Sequence, residues 1–459
     1  MRPRQSGDVL LLIMALGSSA GCARDVVDAL VLPDCQADLT RPACELRVWP
    51  NATSKRNSDP WLVQHHDELV RIEPRVMVLD FYNGIPGSPQ NPVLTVDQLT
   101  QIAMQQIQAL ALGSRYHGYS DPASPSFLNY QWVKTVDFTD GPNIAAGATF
   151  PSSSKLPLTP RGEFDATALF TQTFAEAYGF TDASGRNLAL CELFEQGLIN
   201  ELWVTIGEGP PRGIDSLERK QVYGADGTAT PGAFEAAAGG SGDLGGIECG
   251  VTVRIAHLSP VRGLGCDLDI RSWSIQAETT LGTVPYLHDN ALAFFNSDFD
   301  TRFKVPFASW DALCGNSSDA MPCVTYNSAT SVSGAAGTSG WTIPSFIQGC
   351  GTATFPPNAR YRDDYVDTTP VDSRCEHYGL HDGPGGADLL QAYTADQVQK
   401  NVDTLNAYAA QISPAVNLPG GDCGGGWQVY LRQSMPGYQN HARDSNGQPM
   451  KNWWPFLFY

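Results

Sequence analysis

Four polar side chains in this sequence follow apolar runs, at the points where buried strands would end; they are Asp80, Asp137, Glu208 and His257. In open α/β sheets, ligands bind beyond the carboxyl ends of the strands, so these side chains are the first candidates for chemistry. Two carboxylates that face each other across a cleft would divide general acid and general base work, as glycoside hydrolysis requires. The glycines on both sides of Glu208 would let a ligand approach the backbone closely.

The same residues also have a structural interpretation. Asp80 and Glu208 would then cap helices or pair with arginines such as Arg212 and Arg254. The two interpretations differ in geometry. Catalysis predicts that Asp80, Glu208 and His257 converge in one concave pocket, whereas the structural interpretation predicts that they lie apart or bind arginine.

Two further pairs of residues lie later in the chain. Glu278 and His288 follow the fourth predicted strand and are a candidate acid/base pair. His377 and His381 are four residues apart, so they would share one face, and bind a divalent metal, only if the segment were helical. The Gly-Pro-Gly-Gly run that follows, at residues 383–386, favours a loop instead. A divalent metal stays an alternative, and the sequence identifies no other cofactor.

The elements that must position these residues alternate between strand and helix. Apolar runs predict strands over residues 74–82, 199–209 and 251–258, and an alternation of apolar and polar residues predicts another over 130–138. Apolar residues at helical spacing predict helices over residues 95–112, 166–178, 188–196 and 394–412. This alternation predicts an α/β fold with a mostly parallel central sheet and helices on both faces.

The main domain is expected to be a single large α/β domain over residues 74–459. Two loop-rich insertions interrupt it, at about 224–248 and 315–372, because these stretches are rich in Gly, Ala, Ser and Thr. The chain ends in an aromatic segment, residues 452–459, which we expect to pack into the core.

The first 22 residues have the pattern of a signal peptide. A charged start precedes a short apolar run and then small residues that end at Cys22. Small residues directly before a cysteine resemble the bacterial lipoprotein box, although Ser19 stands where that box usually has leucine. We therefore expect an exported protein, either lipid-anchored at Cys22 on the outer surface or in the periplasm, or cleaved by the ordinary signal peptidase and secreted. Residues 23–73 are expected to be an N-terminal tether.

The cysteine count agrees with export. The chain has 11 cysteines, and setting Cys22 aside leaves an even number, which predicts a framework of disulfides. Short loops would be closed by the pairs Cys35–Cys44, Cys249–Cys266 and Cys314–Cys323. The remaining cysteines of the framework are Cys191, Cys350, Cys375 and Cys423.

Charge and hydropathy limit the partners. A formal net charge of −19 over 459 residues argues against nucleic acid or an anionic membrane as a partner. No second apolar stretch is long enough to cross a bilayer, so membrane association is expected only through a lipid anchor. A cell-surface or extracellular polymer is the expected partner, and the sequence does not indicate an oligomeric state.

Four stretches of the sequence together carry a resemblance: Val78-Leu79-Asp80-Phe81, Ile199 to Val204 with the later Glu208 and Glu218, Arg271 to Glu278, and Asn452-Trp453-Trp454. They resemble a group of secreted bacterial proteins to which no activity is assigned. Members of that group often carry Gly-His-Arg and an acidic residue where this chain has Ser272 to Glu278. This chain lacks that histidine. The resemblance implies an exported protein with an α/β core and implies no particular reaction.

Two classes of function are compatible with these features. The first is an extracellular hydrolase that acts on glycan or peptide material through a carboxylate-led site at the strand ends. The alternative is a non-catalytic surface lipoprotein with a binding or structural role.

Overall fold

The central sheet is built from the apolar runs that predict strands. The structure is a computed structural model that describes residues 42–141, 151–207, 216–235, 244, 246–314, 322–336, 339–411 and 423–459. Its central strands are β3 (Arg75–Asp80), β4 (Gln131–Asp137), β5 (Glu201–Thr205), β6 (Ser216–Tyr223), β7 (Ala229–Glu235) and β8 (Val253–His257). Within the described residues they pair in the order β4-β3-β5-β8-β6-β7. The first three pairings in this order are parallel and the last two are antiparallel, which confirms an α/β chain with a mostly parallel sheet.

The remaining strands are short or lie apart from the central sheet. β1 (Val48–Trp49) pairs in parallel with β2 (Arg71–Ile72), and residues 46–73 belong to the unit that runs from Leu46 to Tyr459. The others are β9 (Val324–Ser328), β10 (Ser331–Ala336), β11 (Ser339–Ile343), β12 (Val371–Ser373) and β13 (Gln391–Tyr393).

The α-helices of the described residues connect and cover these strands. They are α1 (Pro60–His65), α2 (Val96–Gly113), α3 (Gln172–Tyr178), α4 (Leu190–Glu195), α5 (Leu264–Thr280), α6 (Pro285–Phe294), α7 (Phe299–Phe303), α8 (Trp310–Cys314), α9 (Gln399–Ala409) and α10 (Gly425–Ser434). In the part of the chain that the structure describes, none of the helices combines the length and the apolar character needed to span a membrane.

The predicted helix over residues 95–112 is confirmed as α2. Thr95 caps it, because the Thr95 hydroxyl accepts from the Gln98 backbone N–H while the Gln98 side chain accepts from the Thr95 N–H. The predicted helix over residues 166–178 is instead divided into a 3-10 helix (Ala166–Phe170) and α3. Thr171, which is extended at φ −79° and ψ 158°, separates the two.

One face of the sheet forms the main apolar core. Alternate residues of the strands, such as Met77, Leu202 and Ile255, pack in a single buried cluster with helical residues that include Leu193 and Phe194. Successive side chains of a strand point to opposite faces, so the intervening residues Glu201 and Arg254 must face the other way. The opposite face of the sheet therefore carries buried charge.

The segments predicted as loop-rich contain regular structure. β7 lies within the predicted insertion at 224–248, and β9, β10 and β11 form a three-stranded antiparallel sheet within 315–372. β7 and β9 are largely exposed, so they lack the buried alternation that marks a strand in sequence. Phe299, Trp310 and Phe346 belong to a second apolar cluster that includes Val332 of β10.

Four disulfides lie within the described residues: Cys191–Cys249, Cys266–Cys423, Cys314–Cys323 and Cys350–Cys375. The predicted Cys314–Cys323 pair is confirmed, and the predicted Cys249–Cys266 pair is wrong. Cys249 precedes β8 whereas Cys266 lies in α5 after it, so the length of a strand separates them. Cys44 is disulfide-bonded, and Cys35 and Cys22 lie outside the described residues.

The aromatic C-terminus packs into the interior, as the sequence predicts. Every residue from Trp453 to Tyr459 is buried, and residues Trp454–Phe458 form a 3-10 helix. The Phe458 ring lies 5.3 Å from the Trp49 ring, and the Phe458 carbonyl accepts a 2.8 Å hydrogen bond from the Ser58 backbone N–H. The end of the chain thus stabilises its first described strand.

We predict that Trp454→Ala lowers the free energy of unfolding by about 3–5 kcal/mol, because the substitution leaves a cavity at a side chain that is 1% exposed. Urea denaturation of the full chain measures this change. Val366→Ala is the matched control, since Val366 is 77% exposed and its truncation is expected to change the stability by less than about 0.5 kcal/mol. Equal effects of the two substitutions would contradict the docking of the C-terminus.

Candidate active site at the carboxyl edge of the sheet

Asp80 is the last residue of β3 and lies at the carboxyl edge of the sheet, where β3, β4, β5 and β8 end. It pairs in register with Thr205 of β5 and with Asp137 of β4. Its Oδ1 accepts hydrogen bonds from the Thr205 hydroxyl at 2.8 Å and from the Tyr82 backbone N–H at 3.0 Å. Burial raises the pKa of Asp80 to about 6, the two hydrogen bonds oppose the rise, and the nearby Asp137 carboxylate adds to it.

Asp137 stands beside Asp80 and is exposed. Because the two residues are register partners on parallel strands, their side chains leave the same face of the sheet, and their backbones are about 4.8 Å apart. Asp137 Oδ1 accepts from the Thr139 backbone N–H at 2.8 Å and from the Thr139 hydroxyl at 2.7 Å. The strand ends therefore bring a buried and an exposed carboxylate together.

A third carboxylate, Asp140, lies at the same edge. Its Oδ2 accepts from the Asn83 amide at 2.7 Å, and its backbone N–H donates to Asn83 Oδ1 at 2.8 Å. Burial alone would raise the pKa of Asp140, but hydrogen bonds from Ser154, Asn83 and Ser153 lower it to about 2. Asp140 is therefore ionised at pH values at which Asp80 still carries its proton.

Residues 151–154 connect the strand ends. The Asn83 backbone N–H donates to the Pro151 carbonyl at 2.8 Å, and the Gly207 N–H donates to the Ser152 hydroxyl at 2.8 Å. Ser153 donates to the Phe138 carbonyl at 2.6 Å. The segment thus bonds to the chain just after β3, β4 and β5, and it fixes the geometry of the carboxyl edge.

His257 does not lie on the same face of the sheet as Asp80. Asp80 pairs with Thr205, and His257 pairs with the preceding residue, Val204. Adjacent residues of one strand point to opposite faces, so the Asp80 and His257 side chains leave the sheet on opposite sides. His257 Nε2 lies 3.5 Å from the Ile206 carbonyl oxygen. Glu208, the other predicted member of this group, lies outside the described residues.

Glu278 belongs to a different group of charges. It is 2% exposed on α5 and accepts a hydrogen bond from Arg254 Nη2, whereas His288 is half-buried on the next helix, α6. Arg254 also donates to Glu218 at 3.0 Å and lies 3.6 Å from Glu201. Among the described residues, Glu278 thus forms a hydrogen bond with Arg254.

We call these buried charges and their neighbours the charge cluster: Glu201, Glu218, Lys220, Arg254, Arg271, Glu278 and Arg432. Most of its members were not identified from the sequence as site residues. The available signal was a glutamate at the start of an apolar run, Glu201-Leu202-Trp203-Val204, where a parallel strand would ordinarily be apolar throughout.

The two histidines predicted as a metal pair do not share a helical face. His377 ends a 3-10 helix (Cys375–His377), and His381 has a left-handed backbone at φ 54°. Each histidine faces a different carboxylate: His377 Nδ1 lies 2.7 Å from Asp382 Oδ2, and His381 Nδ1 lies 3.6 Å from Asp388 Oδ1. Among the described residues there is no group of three or more His, Cys, Asp or Glu that could hold a metal ion.

No protein-family model, curated protein or solved structure matches this chain. Its function must therefore be argued from the geometry and chemistry of its own residues.

The raised pKa of Asp80 predicts that Asp80→Asn stabilises the protein at pH 7. In the wild type the folded state holds a proton that the unfolded state releases near pH 3.8, so stability falls as pH rises from about 4 to about 6 and stays lower above that range. The carboxamide oxygen of asparagine can accept the same two hydrogen bonds without carrying charge. We expect a gain of about 1–3 kcal/mol in the free energy of unfolding at pH 7.

Chemical denaturation at pH 4, 5, 6 and 7 measures the effect, and Asp300→Asn is the control, because Asp300 is exposed. The expected result is a flatter pH dependence between pH 4 and 6 in Asp80→Asn alone. Identical pH dependence in both variants and the wild type would contradict the raised pKa.

Proposed function

We propose that this protein is an exported hydrolase that acts on glycan or peptide material, with Asp80 as its general acid. The observation that carries the proposal is the pairing of a buried carboxyl group, Asp80, with an exposed carboxylate, Asp137, at the carboxyl edge of the sheet. Ligands bind at this edge in open α/β sheets. Four disulfides indicate an oxidising compartment and support export. In the exported protein, Cys22 would carry the lipid anchor.

The two carboxyl groups have environments that suit different roles. Asp80 keeps its proton to about pH 6, so it would protonate the leaving-group oxygen or nitrogen as the bond breaks. Asp137 is open to solvent and would act as the nucleophile or activate a water molecule. Asp140, held ionised by its hydrogen bonds, would stabilise positive charge that develops in the transition state.

The spacing of the strands indicates the stereochemistry to expect on a glycan. The backbones of register partners on neighbouring strands lie about 4.8 Å apart, and the Asp80 and Asp137 side chains, which are of equal length, leave the same face of the sheet. Carboxyl groups about 5–5.5 Å apart are typical of glycosidases that retain the anomeric configuration, whereas a wider separation leaves room for an attacking water. We therefore expect retention if the substrate is a glycan.

The alternative is a binding or structural surface lipoprotein. It is favoured by the positions of two predicted catalytic residues, because His257 leaves the sheet on the face opposite Asp80 and Glu278 is bound to Arg254. In that case the raised pKa of Asp80 would only lower the stability of the fold and would serve no reaction.

The test is hydrolysis of a panel of polysaccharides, peptidoglycan fragments and peptides by the wild type, Asp80→Asn, Asp137→Asn and the control Asp300→Asn. We expect Asp80→Asn and Asp137→Asn to lower kcat/KM by roughly 10²–10⁴-fold, with Asp300→Asn unchanged. The wild-type rate should fall above pH 6 as Asp80 loses its proton. Retention of the protein on an insoluble polymer, without turnover of any substrate in the panel, would favour the binding alternative.

A further inference from the structure

A small cavity lies inside the charge cluster, on the charged face of the sheet. Its volume is about 20 Å³, and its polar lining includes Tyr130, Glu201, Arg254, Arg271, Glu278 and Arg432. Every lining residue is buried. A cavity of this size holds one water molecule or one monatomic ion, and it is far too small for a sugar or a peptide.

Two guanidinium groups present unused donors in this cavity. Arg432 is 2% exposed, its Nε donates to the Ser272 hydroxyl at 3.0 Å, and its two Nη atoms have no hydrogen-bond partner among the described residues. Arg271 donates from Nη1 to Glu201 at 2.7 Å, while its Nε and Nη2 likewise have no partner in the described part of the chain. A buried donor that loses water without gaining a partner carries the full cost of its desolvation.

Aromatic rings lie against these two guanidinium groups. The guanidinium carbon of Arg271 lies 4.2 Å from the Trp203 ring centroid, and that of Arg432 lies 5.9 Å from the Trp454 ring centroid. Rings give cations a favourable contact but no hydrogen-bond acceptor in the plane of the guanidinium. The unused N–H groups therefore need an acceptor from somewhere else.

Each carboxylate of the cluster binds an arginine other than Arg432, although Glu218 Oε2 and Glu278 Oε1 have no hydrogen-bond partner among the described residues. Glu201 binds Arg271 and Tyr130, and Glu218 and Glu278 bind Arg254. Burial raises the pKa of Glu278 well above the ordinary value, and repulsion from Glu218 adds to the rise, while the attraction of Arg254 and Lys220 opposes it. The other cation, Lys220, donates to the Phe456 carbonyl at 2.7 Å, and burial lowers its pKa.

Arg432 is a cation that these contacts leave without a carboxylate partner among the described residues. Burial, followed by repulsion from Arg271, lowers the pKa of Arg432 to about 9, which still leaves it protonated at neutral pH. No ion pair joins Arg432 to a carboxylate among the residues that the structure describes.

We infer that this cavity binds a monatomic anion, chloride under extracellular conditions, between Arg271 and Arg432. A water molecule would accept only two of the unused N–H groups and would leave the positive charge in place. A halide ion accepts hydrogen bonds from several N–H groups at once and has no hydrogen that needs an acceptor. Its negative charge compensates the positive charge of one guanidinium group. The anion stabilises the packing of α5 and α10 against the sheet.

This inference is independent of the proposed hydrolase. Glu201 is the first residue of β5 and Thr205 the last, so the cavity and the carboxyl edge lie at different ends of the same strand. Loss of one site leaves the other intact, and each has its own measurement.

The test is the melting midpoint of the full chain in sodium chloride against sodium gluconate at constant ionic strength, which holds the screening of surface charge fixed. Gluconate is too large for the cavity. We expect chloride to raise the melting midpoint in a saturable way, by roughly 3 °C when the chloride concentration is a hundredfold above its Kd. Bromide is expected to have the same effect. Equal midpoints in chloride and gluconate would overturn the inference.

Arg432→Met removes the charge and keeps most of the volume, so it should abolish the chloride effect and be at least as stable in gluconate as the wild type. Arg161→Met is the matched control, since Arg161 is exposed, and it should keep the full chloride effect. A chloride effect that survives Arg432→Met would contradict the assignment.

Anomalous scattering from wild-type crystals grown in bromide gives a second measurement, which does not depend on a variant that folds. A bromide peak between Arg271 and Arg432 is expected. Density for water there, without anomalous signal, would overturn the inference.

Discussion

The arrangement of the sheet depends on Arg254. From β8 its guanidinium reaches Glu218 of β6, Glu278 of α5 and the carbonyl of Leu457 at the C-terminus. A buried cation without a partner is strongly unfavourable, so each of these elements must stay where its acceptor meets the guanidinium. Removing one member of a buried charge pair typically costs about 3–5 kcal/mol, because the other charge remains buried. One residue thus fixes the antiparallel strand, the covering helix and the end of the chain relative to one another.

The two ends of the parallel strands have different physical properties. On the charged face, Glu201 starts β5 among cations whose attraction overcomes the effect of burial and holds its pKa below the ordinary value. At the other end Asp80 is buried against hydroxyl and amide donors, no cation contributes to its pKa among the described residues, and its pKa rises. A buried carboxyl group of this kind weakens the fold at neutral pH, and such a cost is commonly retained where a protein needs a proton donor.

The C-terminal segment completes the buried face rather than merely covering it. Its carbonyls accept hydrogen bonds from Lys220, Arg254 and the backbone of Ser58, residues that lie about 200 to 400 positions earlier in the chain. These cations therefore cannot reach their final environment until the last residues of the chain dock.

The sequence by itself determined the class of fold and the main elements around the carboxyl edge. Apolar runs and a capping box depend on neighbouring residues, so β3, β5, β8 and α2 were predictable. Asp80 directly follows an apolar run, and this position was enough to place it at the end of a strand. The aromatic residues of the C-terminal segment predicted that this segment would be buried. Only the tertiary structure decided which charges meet. Arg254 finds Glu218, Glu278 and Leu457 across long sequence separations, and whether His257 shares a face with Asp80 depends on strand register, because a shift of one residue moves a side chain to the other face of the sheet.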